Sequence, residues 1–266
     1  MIHPSALVDP RAQLHSSVVV GPFTVIDSDV VIGKGCRIGP HVHLTGHTVI
    51  GSNNVFHTGC VIGDAPQDLK YKGEPTRISI GDGNTFREHV TVHRSSKMDE
   101  ETAIGSNNFL MAHCHIGHNG RLGNSVIVAN GALLAGFVKV EDGAFISGNC
   151  LLHQFVRVGR LALMQGRAGI SKDVPPFTIA RGVNRICGLN VVGLRRAGIA
   201  SDQRLELKRL YHALFRSGKL FGDAVREAQK VFKGEHARLM LDFISASKRG
   251  VCLDAGLDED EEERRD

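Results

Sequence analysis

From Ile2 to Ile170 a large apolar residue recurs at every sixth position. Of the 29 positions in that phase, 27 are aliphatic, Met or Phe, and the exceptions are Asp68 and Glu74. With 42% hydrophobic residues overall, chance would fill about 12 of them. Gly often follows the large residue, as at Gly21, Gly33, Gly51, Gly105, Gly117 and Gly123. The fourth residue on is usually small, as at Ala12, Cys36, Cys60, Cys114, Ala132, Ala144, Cys150, Ala162 and Ala168. Large-Gly-x-x-small-x is the period of a parallel β-helix of hexapeptide repeats. Each hexad makes one flat face, and three faces close a triangular coil of about 18 residues. About nine coils at ~4.8 Å each predict a prism roughly 45 Å long.

The phase breaks between Gly63 and Arg77 and then resumes, so whole hexads are replaced by a loop thrown out of the coil. It ends near Pro175-Pro176. Beyond a connector with Asn184 and Gly188, helical spacing begins. Ser201-Asp202 reads as a cap, followed by Leu205, Leu207, Leu210, Leu214 and Phe215. Further helices are expected from about Asp223 and His236. The predicted organisation is a β-helix over 1–183 with an inserted loop at about 64–77, a C-terminal helical domain over 184–253, and an acidic disordered tail over 254–266. Helices at that end cover strands that an open coil would leave exposed.

Residues 18 apart share a corner on successive coils. One outward column reads Phe109, Ile127, Phe145, Leu163; a second reads His115, Leu133, Leu151; the third reads Arg121, Lys139, Arg157. Two apolar stripes on a prism wall need cover. Further copies of the same chain supply it, and a three-sided prism suits a homotrimer. A groove for ligand is the alternative reading.

His118 stands in a column below Gly136, with Gln154 above that. An imidazole is suited to general base work near neutral pH. A backbone N–H at Gly136 is suited to an oxyanion one rung away. His115 and His153 enrich the same wall, although with 14 His in the chain they also fit as surface decoration. The loop offers Gln67, Asp68 and Lys70 within four residues, suited to sugar hydroxyls and phosphates. His113 and His118 have a spacing used for zinc on other hexapeptide prisms. Counting 18 residues per coil puts Arg77 and Asp82 two coils below them, so no third His is in place and no metal is expected.

Composition narrows this reading. Aromatics are only 5%, with no Trp, and Gly reaches 31 residues, as thin stacked layers require. No apolar run is long enough to span a bilayer. The start, MIHPSALVDP, has neither the basic nor the apolar region of a secretory signal. Six Cys, none in a CxxC, are expected to be reduced thiols in the cytoplasm, four of them filling one interior position. The net charge of +4 hides an asymmetry: residues 254–266 hold eight acids and two Arg, while 195–249 hold thirteen Lys/Arg against six Asp/Glu. A basic segment of this kind fits nucleic acid, a membrane surface or an acidic protein. The basic columns lack interleaved aromatics, which argues against nucleic acid.

Five stretches carry a resemblance: QDLKYKGEPTR (67–77), IGSNNFLMAHCHIGH (104–118), LLHQFVRVG (151–159), KDVPPFTIARG (172–182) and LNVVGLRRAG (189–198). Over about residues 1–250 the chain resembles the bacterial UDP-N-acetylglucosamine O-acyltransferases. The resemblance implies a left-handed parallel β-helix and a cytoplasmic homotrimer at the first step of lipid A biosynthesis. It implies transfer of a (3R)-3-hydroxyacyl chain from acyl carrier protein to the sugar 3-hydroxyl, without cofactor or metal. His118 then matches the base and Gly136 the oxyanion donor. Gln67, Asp68, Lys70, His115, His153, Gln154, Asn190 and Arg196 match substrate-binding positions, and Gly166 the small residue that admits a longer acyl chain. The basic helices would suit the acidic carrier protein.

Four positions depart from the family pattern. Asn119 replaces an acidic residue after the catalytic His, Phe137 replaces a His, Val192 a Glu, and Ala197 an Arg. An amide orients an imidazole without supplying a charge. Two alternatives follow: a relative that N-acylates or uses another sugar nucleotide, and a scaffold that kept the prism without catalysis.

Overall fold

The computed structural model describes residues 1–254. The chain winds through short parallel strands, mostly two residues long, that stack into three sheets. Sheet one holds nine strands from Leu7–Val8 to Gly169–Ile170. Sheet two holds eight from Gln13–Leu14 to Arg157–Val158. Sheet three starts at Val19–Val20 and has eleven among the described residues. The chain visits sheets one, two and three in turn, so each coil has three edges. The fold is a left-handed parallel β-helix with a helical C-terminal region.

The phase residues fill the interior, from Val20, Ile26 and Ile32 to Met164 and Ile170. Phe56 stacks on Phe86 with ring centroids 4.6 Å apart. Cys36, Cys60, Cys114 and Cys150 take the small interior position, as expected, and are free thiols. Burial pushes Cys60 and Cys114 up to about 12, so they are inert filler. The same position also accepts Asn. Asn54, Asn84 and Asn108 form a buried ladder in which each side-chain oxygen takes the backbone N–H of the next rung. Their amide groups donate to Gly81, Gly105 and Gly123 carbonyls, so no polar atom is stranded.

The outward columns run in the expected register: Phe109, Ile127, Phe145, Leu163 in sheet three, and His115, Leu133, Leu151 in sheet one. The coil length is not uniform. Val55 pairs with Thr85 and Thr85 with Phe109, spacings of thirty and twenty-four residues, before eighteen takes over at Ile127. The first excess is the expected loop, now bounded as 65–76. The second, 94–100, is an excursion that the six-residue count concealed, because Met98 falls in phase. Met98 is 55% exposed and belongs to no coil. Its only sequence signal is the polar run Ser95-Ser96-Lys97 before it and Asp99-Glu100 after it. The columns below His113 and His118 therefore shift. His89 lies directly under His113, rings 5.1 Å apart, and Arg77 and Asp82 are not two coils below.

Sheet three continues past the prism. Thr178–Arg181 pairs antiparallel with Arg185–Leu189, which pairs with Leu253–Asp254. Four helices follow the connector: α1 (Val191–Arg196), α2 (Ser201–Phe215), α3 (Phe221–Val231) and α4 (Glu235–Ser245). Ser201 is the first helical residue rather than the cap, which is Ala200. α1 is too short to show a period in the sequence. A second apolar cluster, including Phe177, Leu194, Leu207, Leu210, Met240 and Leu241, packs the helices onto the prism end. Arg157, read as part of the outward basic column, is engaged there. Its guanidinium bonds the buried Asp173 at 2.7 Å and the Phe243 carbonyl at 2.8 Å, and lies over the Phe243 ring. Ser247 also donates to Asp173. Asp254 accepts from Tyr211 and Arg216. The rest of the expected acidic tail lies outside the described residues.

Candidate functional site

Both excursions leave the prism at one edge, between sheets one and two. The first connects Val61–Asp64 to Arg77–Ile80, and the second Thr91–His93 to Glu101–Ile104. The next turn of that edge carries His118 and Asn119, the turns above it Phe137 and Phe155, and the last Asp173. Arg94 ties the two excursions together. It donates to the Tyr71 hydroxyl at 3.1 Å and to the Gly63 carbonyl at 2.8 Å, and its guanidinium lies over the Tyr71 ring.

His118 is 5% exposed. A Cβ built on Gly136 would sit 2.6 Å from His118 Nε2, so the position must be glycine for the imidazole to occupy its place. The sequence column is thus a real contact. The Gly136 N–H has no partner among the described residues. The Phe137 ring meets the imidazole edge-on at 5.2 Å and stacks on Phe155 at 4.6 Å. Lys97, from the second excursion, lies over the Phe137 ring. Lys97, Phe137 and Phe155, without His118 or Gly136, border a hollow of about 660 Å³ whose rim also includes Glu100, Asn119 and Arg249.

The other side of His118 is closed by hydrogen bonds. Its Nδ1 is 2.9 Å from Asn119 Oδ1. Asn119 is buried and takes the left-handed φ of 58° that recurs at the coil corners. Its backbone N–H donates to Thr102, and its side chain engages Ser95, Ser96 and Glu100.

His115 and His93 complete a group of three imidazoles. Their rings meet edge-on at 4.8 Å, and a 2.8 Å hydrogen bond joins Thr91 to His115 Nδ1. Burial, with the cationic forms of His93 and His118 beside it, pushes His115 from 6.5 down to about 4. Burial lowers His93 as well, and its Nδ1 is buried without a partner among the described residues. Burial therefore favours the uncharged forms of His93 and His115. His93 escaped the sequence reading because the concealed excursion put it out of register with the histidines above.

The other expected residues are spread over the prism. Gln67, Asp68 and Lys70 lie on the first excursion, at the same edge but lower. Asp68 Oδ1 takes the Lys70 backbone N–H at 3.0 Å, which shapes the loop. His153 and Gln154 lie two coils above His118, with His153 Nδ1 3.3 Å from Arg249. Gly166 is at the edge between sheets three and one. A Cβ there would meet only the Gly148 carbonyl, at 3.5 Å, so the space beside it is open. Asn190 caps α1 by accepting the Gly193 N–H at 2.9 Å, and donates to the Leu161 carbonyl at the edge between sheets two and three. Its side chain thereby helps to place the helix that carries exposed Arg196. One chain thus brings His118, Gly136, His115, His153 and Gln154 to a single edge, and leaves Gly166, Asn190 and Arg196 on others.

The family described as Udp N-acetylglucosamine O-acyltransferase; Domain 2 matches residues 173–252. The bacterial transferase hexapeptide (six repeats) family matches 11–46 and 29–64. The acyl-[acyl-carrier-protein]–UDP-N-acetylglucosamine O-acyltransferase of Thermodesulfovibrio yellowstonii is 45% identical over 94% of this chain and 98% of its own. That of Halorhodospira halophila is 47% identical over the same shares. Among solved structures, the UDP-N-acetylglucosamine acyltransferase of Francisella novicida superposes with a TM-score of 0.93, at 34% identity over 98% of both chains.

Proposed function

The chain belongs to the acyl-[acyl-carrier-protein]–UDP-N-acetylglucosamine O-acyltransferase family, and from that premise we propose that it moves a (3R)-3-hydroxyacyl chain from acyl carrier protein to the 3-hydroxyl of UDP-N-acetylglucosamine. Such a transfer is the opening step of lipid A biosynthesis, in the cytoplasm. The observation that carries the chemistry is the pairing of a buried imidazole with an unspent backbone N–H, His118 against Gly136.

His118 Nε2 takes the proton of the sugar hydroxyl as the oxygen attacks the thioester carbonyl. The carbonyl oxygen gathers negative charge, which the Gly136 N–H stabilises. Collapse breaks the carbon–sulfur bond. The departing thiolate takes the proton back from His118, leaving an ester and a free carrier thiol. No metal or cofactor enters these steps. Gln67, Asp68 and Lys70 hold the substrate from the first excursion, with His115, His153, Gln154, Asn190 and Arg196 as further contacts. Open space at Gly166 receives the far end of the acyl chain. The basic helices receive the acidic carrier protein.

The homotrimer belongs to the same proposal. The substrate residues lie on different edges of one prism, and copies packed side by side would bring them to shared clefts. Exposed Leu133 and Leu151 give the contact an apolar face.

The test is to incubate the protein with UDP-N-acetylglucosamine and hydroxyacyl carrier-protein thioesters of graded length. Mass spectrometry should find an acylated nucleotide and a preferred length. If no thioester yields that ester, the reading fails.

A further inference from the structure

We propose that Glu100, on the second excursion, is a positioning residue for His118 that acts through the side-chain amide of Asn119. The proposal rests on the reading of His118 as the base. Its grounds are the hydrogen-bond accounting around one buried amide.

A side-chain amide can face its neighbours in two ways, and the neighbours decide which. Asn119 Nδ2 is 2.9 Å from Glu100 Oε2, and an ionised carboxylate only accepts. Asn119 Oδ1 is 3.0 Å from the Ser96 backbone N–H, which only donates. Both contacts select the same orientation. Ser95 Oγ takes the second amide hydrogen at 2.7 Å, so both donors are used. The oxygen is therefore the atom turned toward His118, at 2.9 Å from Nδ1. A carbonyl oxygen there requires a proton on Nδ1. The lone pair is left on Nε2, the nitrogen beside Gly136, where a base must have it.

Glu100 is itself held in the charged form. Lys97 bonds it at 2.9 Å, and that bond, with the Asn119 amide and nearby Arg121, keeps its carboxyl below the usual range. The charged or titratable groups around the imidazole and its neighbours are Arg94, Lys97 and Glu100 on the excursion, Arg121 in sheet two, and Asp64, His93 and His115 in sheet one. Asp64 acts on His93, whereas Glu100 is the anion whose hydrogen bond leads, through Asn119, to the imidazole of His118. When His118 takes up a proton, a negative charge at the far end of the amide favours the cation across two hydrogen bonds. Glu100 thus supplies, one residue removed, the charge that Asn119 itself lacks.

The test uses the full chain with ¹⁵N-labelled histidine, the His118 signals being assigned by their loss in H118A. The wild-type spectrum should show Nδ1 protonated and Nε2 bare. E100A removes one of the two contacts that select the amide's orientation, so it should admit a minor fraction of the other tautomer, limited by the Ser96 N–H that still faces Oδ1, and lower kcat about 10- to 100-fold. KM for the nucleotide should stay within about twofold. E100Q keeps an acceptor without the charge, and should restore the single tautomer and part of the rate. A pure wild-type tautomer in E100A, or wild-type kcat in both variants, would overturn the proposal. A wild-type protein that makes no ester would instead count against the proposed function, and the tautomer would still decide the role of Glu100.

Discussion

At the edge between sheets three and one, His113 turns the corner with φ 60°, and at the edge between sheets two and three Asn107 does so with φ 59°. At the edge between sheets one and two Asn119 turns it with φ 58°. The backbone is the same at all three, yet the surroundings differ. His113 stacks on His89 at a wall, and Asn107 lies exposed above Gly83. Asn119 is buried and engages five residues. What distinguishes its edge is the two excursions just below, the second of which folds back and supplies Ser95, Ser96, Lys97 and Glu100. A repeat gives every coil an equal corner, and an insertion of whole hexads surrounds one corner with buried polar partners without disturbing the stack.

The sharpest way to break this comparison is to remove one histidine from each kind of edge. His118→Ala should lower turnover by about 10²- to 10⁴-fold, the usual contribution of a general base. His41→Ala, at a plain edge and stacked on Phe23, should leave turnover unchanged. Equal losses in a thioester assay would mean that the edges are not distinct.

The top of the His118 edge is also its anchor. Asp173 is 1% exposed and fully engaged by Arg157 and Ser247. Asp173→Ala strands the Arg157 cation under α4 and should cost about 3–5 kcal/mol, read as a lower urea midpoint. The exposed Asp9–Arg11 pair at a lower coil should show no change when Asp9 is replaced by Ala.

Gly136→Ala places a methyl group where the imidazole lies. A displacement of about 1 Å should cost on the order of 10²-fold in kcat, with the urea midpoint little altered. A large fall in the midpoint with kcat preserved would assign Gly136 to packing instead of chemistry.

The smallest effect is in the pH dependence of stability. His115 titrates near 6.5 when unfolded and at about 4 when folded. The unfolded chain therefore binds the extra proton between those values. The contribution is complete above about pH 6.5 and is lost as pH falls toward 4, reaching at most about 3 kcal/mol. His93 adds to the same slope. Urea unfolding of His115→Gln across this window should show a shallower decline than the wild type.

Much of this was legible in the chain because a hexad repeat is a one-dimensional signal. Each phase residue fills the same interior place, so period alone set the coils and the column of His118, Gly136 and Gln154. The resemblance at residues 67–77, 104–118 and 189–198 pointed to the family that the relatives then showed. The second excursion stayed hidden because Met98 kept the phase while leaving the core. With it went the true neighbours of His118: His93, Ser96 and Glu100. Arg157 could not be assigned either, since its partners Asp173 and Phe243 come from the connector and from α4, far along the chain.

By itself, then, the sequence determined the prism, its interior and the residue that faces Gly136, because these depend on spacing alone. Tertiary structure decided which nitrogen of His118 is free and where the balancing charge sits. Those depend on groups that meet only when a loop folds back across coils, and no period along the chain records that meeting.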